Sequence, residues 1–321
     1  MKILIIPGLT LPDVSDDDVA RIRDAAGPGA RVVLTSARQA HEHAEDADVI
    51  LGFVPPALFQ AAPRLKWVHA IASGVDAFLY PEFAHSNVVL TSEKGLVGEH
   101  LADHAFGLLL MLTRQLATAL KHGPDAWNHR PEMRRLEIEL TGLTLGIVGF
   151  GGTGRAMARR GAAFGMHCLA IDRDPVPTSP EVSTVGRSKD FHSLLAASDV
   201  VAVCVPLTRE TQAMFDTNAF ASMKPSAILV NVTRGEVMDE AALVDALERG
   251  RIGGAALDVA PREPLPADSA LWRLPNVVMT PHTAGASQYR AARNIDRFVT
   301  NIGRLRRNEP LEGTIDKSLG Y

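Results

Sequence analysis

A glycine-rich segment in the middle of the chain constrains its fold more than any other feature. Gly149, Gly151 and Gly154 have the G-x-G-x-x-G spacing, and a short, mostly apolar run over residues 143–148 precedes them. Small and apolar residues follow over 156–164, which is typical of a helix lying against a sheet. A strand, a tight turn without side chains and a helix N-terminus together direct several backbone N–H groups at a pyrophosphate. The segment therefore predicts a dinucleotide-binding unit.

A carboxylate supports this interpretation and bears on the choice of cofactor. Asp172 lies eighteen residues after Gly154, at the end of the next apolar run. It is placed to accept hydrogen bonds from the ribose hydroxyls, and its charge repels a 2'-phosphate. The sequence therefore predicts NAD rather than NADP as the cofactor. NADP stays open as the alternative, because the adjacent Arg173 would accommodate that phosphate if it turned inward.

Composition narrows the class of protein and its partners. A chain of 321 residues exceeds the roughly 150 expected of one domain, so we expect two domains. The 33 basic and 37 acidic residues leave a formal charge of −4 without a Lys/Arg block, so no nucleic-acid partner is expected. No apolar run approaches the roughly 20 residues of a bilayer span, so we expect no membrane partner. Cys168 and Cys204 lie inside apolar runs, which indicates buried thiols and a cytoplasmic protein.

Short apolar runs alternate with polar or amphipathic stretches of helical length in both halves of the chain. This rhythm predicts α/β domains with parallel sheets, and six strands around a glycine fingerprint describe a doubly wound sheet. The predicted strands lie at residues 3–6, 32–34, 49–53, 67–71 and 88–90 in the first half, and at 143–148, 168–171, 200–205, 227–232, 255–257 and 277–279 in the second.

Two helical segments bear on the domain organisation. Residues 99–121 predict one helix whose apolar residues spread over more than one face, so we expect it to cross between the domains and to pack against a second subunit. A central core helix in a monomer is the alternative. Residues 288–307 read as a helix with no strand after it, which we expect to return to the first domain. The predicted domains are then 1–97 with 288–321, and 98–287.

Polar side chains follow three of the predicted strands, at the sheet edge where parallel sheets bind ligands. These side chains are Arg234, Asp258 and His282, and Glu263 lies five residues beyond Asp258 in a proline-rich loop. Arg234 offers a fork of donors for a carboxylate or a carbonyl, and a carboxylate beside His282 favours its imidazolium form. With a bound nicotinamide, these groups suit hydride transfer to a carbonyl carbon while the histidine protonates the oxygen.

Five ordered motifs identify a family. They are Ala72-Ser-Gly-Val-Asp76, Val205-Pro-Leu-Thr208, Asn231-Val-Thr-Arg-Gly235, Leu257-Asp-Val259 with Glu263-Pro-Leu265, and Thr280-Pro-His282 with Ala284-Gly285. Through these motifs the chain resembles the D-isomer-specific 2-hydroxyacid dehydrogenases over nearly its whole length, including glyoxylate/hydroxypyruvate reductases and phosphoglycerate dehydrogenases. The resemblance implies a flavodoxin-like substrate domain and a Rossmann domain, both doubly wound, in a homodimer paired through the region of residues 99–121.

The resemblance also implies a role for each motif. It implies that Arg234 binds and orients a 2-oxo acid, that His282 is the acid/base, and that Glu263 raises the proton affinity of His282. Backbone N–H groups of Ser73, Gly74 and Val75 would hold the substrate carboxylate, while Asp258 and the Thr233 carbonyl would hold the nicotinamide carboxamide. The candidate cofactor-binding residues are Gly149, Gly151, Gly152, Thr153, Gly154, Asp172, Val205, Pro206, Val232, Thr233, Asp258 and Gly285.

The chain departs from the family pattern at three places. Gly98 precedes Glu99 where alanine is usual, which predicts a looser hinge. Gly152 and Thr153 stand where the family commonly has an arginine and a branched residue, so we expect a charged contact to the pyrophosphate to be missing. Ala260 stands where an aromatic residue often follows Asp-Val, which predicts a wider pocket or one packed from elsewhere.

Several alternatives bear on function. A dinucleotide-sensing corepressor of the same fold is the alternative to an enzyme, because such proteins can keep the catalytic residues. Glu263 stands where formate-oxidising members have glutamine, which favours oxo-acid chemistry.

The stretch His41–Asp46 is interpreted as a solvated polar segment, and no metal site is predicted. Residues 51–56 contain no basic side chain, which favours glyoxylate, hydroxypyruvate or a larger apolar 2-oxo acid over a phosphorylated one. Trp127 is a candidate contribution to the partner subunit's site.

Overall fold

The chain folds into two compact units, each built on a parallel sheet. A computed structural model describes residues Met1–Tyr321, of which Met1–Val97 with Ala286–Tyr321 form the first unit and Gly98–Gly285 the second. The strands are β1 (Lys2–Ile5), β2 (Arg31–Leu34), β3 (Val49–Leu51), β4 (Trp67–His69), β5 (Val89–Thr91), β6 (Thr144–Val148), β7 (His167–Ile171), β8 (Val185–Gly186), β9 (Val200–Val203), β10 (Ile228–Asn231), β11 (Gly254–Leu257) and β12 (Val277–Met279). The helices are α1 (Asp16–Ala26), α2 (Pro56–Gln60), α3 (Pro81–Ala84), α4 (Gly98–Thr113), α5 (Leu116–His122), α6 (Ala126–Leu136), α7 (Gly152–Ala163), α8 (Phe191–Ala197), α9 (Thr217–Ser222), α10 (Glu240–Glu248) and α11 (Arg290–Arg306).

The first unit has the strand order β2-β1-β3-β4-β5, with every pair parallel. This is the flavodoxin-like order. Alternate side chains along the strands enter two separate cores, because successive residues of a strand point to opposite faces. Leu4 and Ile50 lie in one core, whereas Ile3 and Val49 lie in the other, where α11 contributes Phe298. The doubly wound fold predicted for this unit is confirmed.

A buried ion pair joins the two chain segments of the first unit. Glu93, just after β5, is 1% exposed and accepts hydrogen bonds from Arg290 Nη2 at 2.5 Å and Arg290 Nε at 2.9 Å. Asn294 Nδ2 donates to the other carboxylate oxygen at 3.0 Å. A carboxylate so completely removed from water requires such donors. The start of α11 is thereby fixed to the end of β5.

The second unit has the strand order β12-β11-β10-β9-β6-β7-β8, again with every pair parallel. This order reverses between β6 and β9, which makes the end of β6 the switch point of a Rossmann sheet. The six strands predicted for this half are confirmed, and β8 is a seventh. Its two half-buried residues, Val185 and Gly186, lie on the sheet edge without an apolar run to signal them.

The prediction of one continuous helix over residues 99–121 is wrong at one point. The helix α4 ends at Thr113 and α5 begins at Leu116, because Gln115 adopts a left-handed conformation with φ 54°. The Thr113 carbonyl accepts a hydrogen bond from Ile138 N at 2.8 Å, which ties the helix end to a distant segment. Whereas α4 buries Ala105 and Leu109, α5 buries no residue.

No helix of the chain combines the length and apolarity that crossing a membrane requires.

A neutral histidine lies inside the first unit. His69 is fully buried at the end of β4, with Nδ1 2.6 Å from Thr91 Oγ1 and its ring against Trp67 and Phe298. Burial, helped by the charge of Arg297, lowers the pKa of His69 to about 3. The folded protein therefore binds this proton only under strongly acidic conditions, whereas an unfolded chain binds it near pH 6.5.

Stability should consequently fall as the pH drops from about 6.5 toward 3, because the unfolded chain takes up the proton first. Between pH 7.5 and 5.0, the wild type should lose about 2 kcal/mol more unfolding free energy than His69→Gln, which cannot titrate. Urea unfolding followed by tryptophan emission measures this, since Trp67 is buried while Trp127 and Trp272 are 77% and 49% exposed. Exposed His41→Gln should behave as the wild type. Equal pH dependence of wild type and His69→Gln would contradict the prediction.

Candidate active site

The glycine loop turns sharply between β6 and α7. Gly149 has φ 96°, and a Cβ added there would lie 2.8 Å from the Cys204 carbonyl oxygen. A Cβ added at Gly154 would lie 2.1 Å from the Gly149 carbonyl oxygen. Around Gly151 an added Cβ would meet no protein atom within 4 Å. Two glycines thus permit close backbone packing, while the third leaves open space beside the N-terminus of α7.

Asp172 lies directly after β7 and is held by backbone groups. Its Oδ2 accepts from Phe150 N of the glycine loop at 2.7 Å, and its Oδ1 accepts from Asp174 N at 3.0 Å. The neighbouring Arg173 has one guanidinium nitrogen 3.4 Å from Asp174 and another 3.4 Å from Glu210. The carboxylate is therefore fixed beside the glycine loop, and the guanidinium lies among acidic groups.

The arginine nearest to Gly152 and Thr153 lies one residue beyond the glycine motif. Arg155 stacks its guanidinium on the Phe150 ring, 4.5 Å from the ring centroid, and donates to the carbonyls of Pro177 and Thr178. These contacts engage the side chain within the protein. The structure thus gives Arg155 internal partners, while the consequence of Gly152-Thr153 for pyrophosphate binding stays a prediction.

The segments after β9 and β10 flank the glycine loop. Val205 adjoins it, because its Cγ1 would lie 2.9 Å from a Cβ added at Gly149. Pro206 follows, and its carbonyl accepts from Thr211 Oγ1 at 2.6 Å. Val232 is buried after β10 and Thr233 is partly buried. The candidate cofactor residues therefore lie at the carboxyl ends of adjacent strands.

A buried amide shapes the turn that presents Arg234. Asn231 is 0% exposed, and its Oδ1 accepts from both Thr233 N and Thr233 Oγ1 at 3.0 Å. Its Nδ2 donates to the Arg234 carbonyl at 2.9 Å, and Arg234 Nη1 donates to the Thr233 carbonyl at 2.9 Å. The Asn231 side chain thus bonds backbone groups of both residues that follow Val232 in this turn.

Glu263 and His282 form a pair. Glu263 Oε2 lies 2.7 Å from His282 Nδ1, and Glu263 Oε1 accepts from Ala260 N at 3.1 Å. The side chains of His282 and Glu263 are 42% and 38% exposed, so the pair faces solvent. The loop carrying Glu263 reaches the turn after β10 because residue 235 is glycine: a Cβ at Gly235 would lie 1.9 Å from the Ala260 carbonyl carbon. The backbone of Gly235 therefore packs closely against Ala260.

Asp258 directly follows β11 and is buried. Its side chain is 0% exposed, and its Oδ1 accepts from Thr280 Oγ1 at 2.6 Å and from Thr283 N at 2.8 Å. Its Oδ2 accepts from Ala284 N at 2.8 Å. The carboxylate therefore holds the turn after β12 that carries His282. The contact of Asp258 with a nicotinamide carboxamide stays a prediction.

The predicted substrate residues Ser73, Gly74 and Val75 belong to the first unit. They follow β4, with Val75 buried and the other two half-buried. At the same edge of that sheet, exposed Phe53 after β3 packs edge-on against Phe78, with 5.0 Å between ring centroids. The loops after β1, β3 and β4 contain no basic residue. These three loops therefore bring no positive charge to this edge of the first unit, whereas the segment after β5 carries Lys94.

Comparison with known proteins identifies the family. The profile described as the NAD binding domain of D-isomer specific 2-hydroxyacid dehydrogenases matches residues 106–284, which include Arg234, Glu263 and His282. The chain belongs to this family. The resemblance predicted from the motifs is thereby confirmed.

Individual relatives extend the match over both units. The chain is 36% identical to a glyoxylate reductase of Korarchaeum cryptofilum over 299 residues, which cover 89% of this chain and 86% of that protein. A D-isomer specific 2-hydroxyacid dehydrogenase family protein from Aeromonas salmonicida superposes with a TM-score of 0.81 at 30% identity, covering 98% and 99% of the two chains. An NADPH-dependent glyoxylate/hydroxypyruvate reductase from Sinorhizobium meliloti, in complex with NADP and sulfate, superposes with a TM-score of 0.80 at 27% identity and full coverage of both chains.

The structure adds one side chain that the sequence did not single out. His104 of α4 has Nε2 2.7 Å from Thr280 Oγ1 and 3.5 Å from Asp258 Oδ1. In the sequence, His104 is marked only as a histidine within an apolar helix. That pattern is equally consistent with a solvated side chain and with a structural one. The structure also groups His122, Asp125 and His129. His129 Nε2 lies 3.1 Å from Asp125 Oδ2, and its ring stacks on that of His122.

The open space at Gly151 leads to a prediction for cofactor binding. In Gly151→Ala the added methyl meets no protein atom, so the melting temperature should be unchanged. The methyl should nevertheless obstruct a pyrophosphate, and the Kd for NADH should rise at least about tenfold, or about 1.4 kcal/mol. Fluorescence titration with NADH measures this change.

A matched control is available in α4. Exposed Gly107 also has open space around it, so Gly107→Ala should leave NADH affinity unchanged and stabilise the helix by up to about 1 kcal/mol. Wild-type NADH affinity in Gly151→Ala would show that the pyrophosphate does not approach this glycine.

Proposed function

We propose that the protein reduces a small 2-oxo acid to the D-2-hydroxy acid with NADH, and catalyses the reverse reaction with NAD. The Glu263–His282 pair, with 2.7 Å between Oε2 and Nδ1, carries this proposal. It lies among strand ends that also bear Arg234 and the glycine loop, in a chain of a dehydrogenase family. Nothing in the comparisons supports the corepressor alternative.

Each side chain has a separate role in the proposed reaction. A bound nicotinamide supplies hydride chemistry. Glu263 orients His282 through Nδ1 and stabilises its imidazolium form, so Nε2 is the nitrogen that gives a proton to the substrate oxygen. Arg234 binds the carboxylate or the polarised carbonyl with its fork of donors. In the oxidative direction His282 takes the proton back.

The other candidate residues hold the ligands. Gly149, Gly151 and the N-terminus of α7 suit a pyrophosphate, and the backbone N–H groups of Ser73, Gly74 and Val75 suit the substrate carboxylate. Binding by these residues removes the rotational and translational freedom that the reaction would otherwise have to overcome.

NAD is the cofactor that the ribose-binding segment favours. The Asp172 carboxylate repels a 2'-phosphate, and the Arg173 guanidinium lies near Asp174 and Glu210, which compete with such a phosphate. The Sinorhizobium meliloti relative is NADPH-dependent, so the proposal of NAD does not rest on similarity to it. The charges around the ribose site are the support for NAD in this chain.

The substrate class follows from the first unit. Phe53 and Phe78 form an apolar surface at the carboxyl edge of its sheet, and the loops after β1, β3 and β4 carry no positive charge. Such a surface favours an apolar 2-substituent and gives a phosphate no partner. We therefore propose that an unphosphorylated 2-oxo acid is the substrate.

Reduction assays test the proposal. The oxidation of NADH and of NADPH by purified protein is followed with glyoxylate, hydroxypyruvate, pyruvate, phenylpyruvate, 2-oxoisocaproate and phosphohydroxypyruvate. At least one unphosphorylated acid should be reduced, and kcat/KM with NADH should exceed that with NADPH at least about tenfold, because like charges in close contact cost several kcal/mol. NADH binding without turnover of any acid would contradict the proposed reaction.

The control variant for these assays is His282→Ala. Removal of the imidazole should lower kcat about 10²- to 10⁴-fold, the range that general acid catalysis supplies. The Kd for NADH should stay near the wild-type value, because the proposed role of His282 is on the substrate. Lost NADH binding in folded His282→Ala would contradict that role.

We also propose that the protein is a homodimer and is cytoplasmic. No residue of α5 or α6 is buried, and two large apolar side chains on these helices, Leu120 and Trp127, are 76% and 77% exposed. A second copy of the chain would cover this apolar surface. A light-scattering mass twice that of one chain tests the dimer. Cys168 and Cys204 are both free thiols, which is usual in proteins of a reducing compartment. Cell fractionation tests the location.

A further inference from the structure

We infer that His104 is a positioning residue, which acts through Thr280 and Asp258 on the turn that carries His282. The inference rests on the proposed function, because it assigns His104 a part in presenting the acid/base. All of these residues belong to the second unit.

The hydrogen bonds of Thr280 determine the direction of the network. Its Oγ1 lies 2.6 Å from Asp258 Oδ1 and 2.7 Å from His104 Nε2. A hydroxyl has one hydrogen, and a carboxylate accepts but does not donate. The Thr280 hydrogen therefore points to Asp258, and the proton of His104 is on Nε2 and points to Thr280. His104 thus orients the hydroxyl toward the carboxylate.

Asp258 in turn holds the conformation of the turn after β12. Asp258 Oδ1 accepts from Thr283 N and Oδ2 from Ala284 N, both at 2.8 Å, and the Asp258 carbonyl accepts from His282 N at 2.7 Å. These bonds bracket His282, whose φ of 55° is in the left-handed region. A residue other than glycine stays there only when its surroundings hold it, at a cost of about 1–3 kcal/mol.

The position of His104 suits this role. Its side chain is 25% exposed and that of Asp258 is 0% exposed, so the network extends from the buried carboxylate outward to α4. A buried carboxylate is sensitive to the number of its donors, because no water replaces a missing one. Without His104 the Thr280 hydroxyl can turn away, and the carboxylate loses its shortest hydrogen bond.

Steady-state kinetics test the inference with four variants. His104→Ala should lower kcat about 10- to 100-fold, the usual effect of a small misplacement of a reacting group. The Kd for NADH should rise by a smaller factor, because Asp258 keeps its hydrogen bonds from Thr283 N and Ala284 N. His104→Gln, whose amide can still donate to Thr280, should recover kcat to within about threefold of wild type. Thr280→Val should match His104→Ala, and the double variant should be no worse than either, because both break one network. Exposed His167→Ala is the control.

Imidazole ¹⁵N NMR provides a readout that does not depend on turnover. His104 should show the tautomer with a proton on Nε2, and the signals of His282 should shift in His104→Ala and in Thr280→Val but not in His167→Ala. If the wild type reduces no oxo acid, the proposed function fails while the NMR result still decides the inference. Unchanged kcat or unchanged His282 signals in folded His104→Ala overturn it. A rise in the NADH Kd as large as the loss in kcat also overturns it, because it would place His104 in cofactor binding.

Discussion

The candidate site depends on one buried carboxylate and the need to satisfy it. Asp258 is removed from water, so its charge is tolerable only with donors directed at both oxygens. Those donors come from Thr280, Thr283 and Ala284, which form the turn after the neighbouring strand. The requirement that stabilises the ion therefore also determines the conformation of the turn. His282 takes its left-handed backbone and its place beside Glu263 as a result.

Sheet geometry explains why the polar side chains meet. The strands β10, β11 and β12 are adjacent and parallel, so the residues that follow them emerge at one edge, about 4.8 Å apart from strand to strand. Arg234, Asp258 and His282 occupy these three places. Glu263 reaches the same edge from the loop after β11, which Gly235 allows to approach closely. Sequence positions far apart thus become one site through strand order and, for Glu263, through the close approach of its loop.

The parts that could be predicted from the sequence are those with local signals. Apolar runs indicated eleven strands, and the residues following them indicated the Glu263–His282 pair. The break at Gln115 was not predictable, because the partner of the Thr113 carbonyl, Ile138, lies in a separate segment. The contact of His104 with Thr280 spans 176 residues, and nothing near His104 distinguishes it from a solvated histidine. Long-range hydrogen bonds leave no periodicity in a sequence, whereas buried strands do.

The ion pair between Glu93 and Arg290 has a consequence for the order in which the chain can acquire its structure during translation. Its partners are 197 positions apart, and α11 supplies part of a core that begins at β1. Residues 98–285 are contiguous and can complete their own sheet as soon as they leave the ribosome. The amino-terminal segment emerges first but must wait for the last helix, and until then its Glu93 and the apolar face that receives Phe298 stay uncovered. The unit that is synthesised first is therefore the one that matures last.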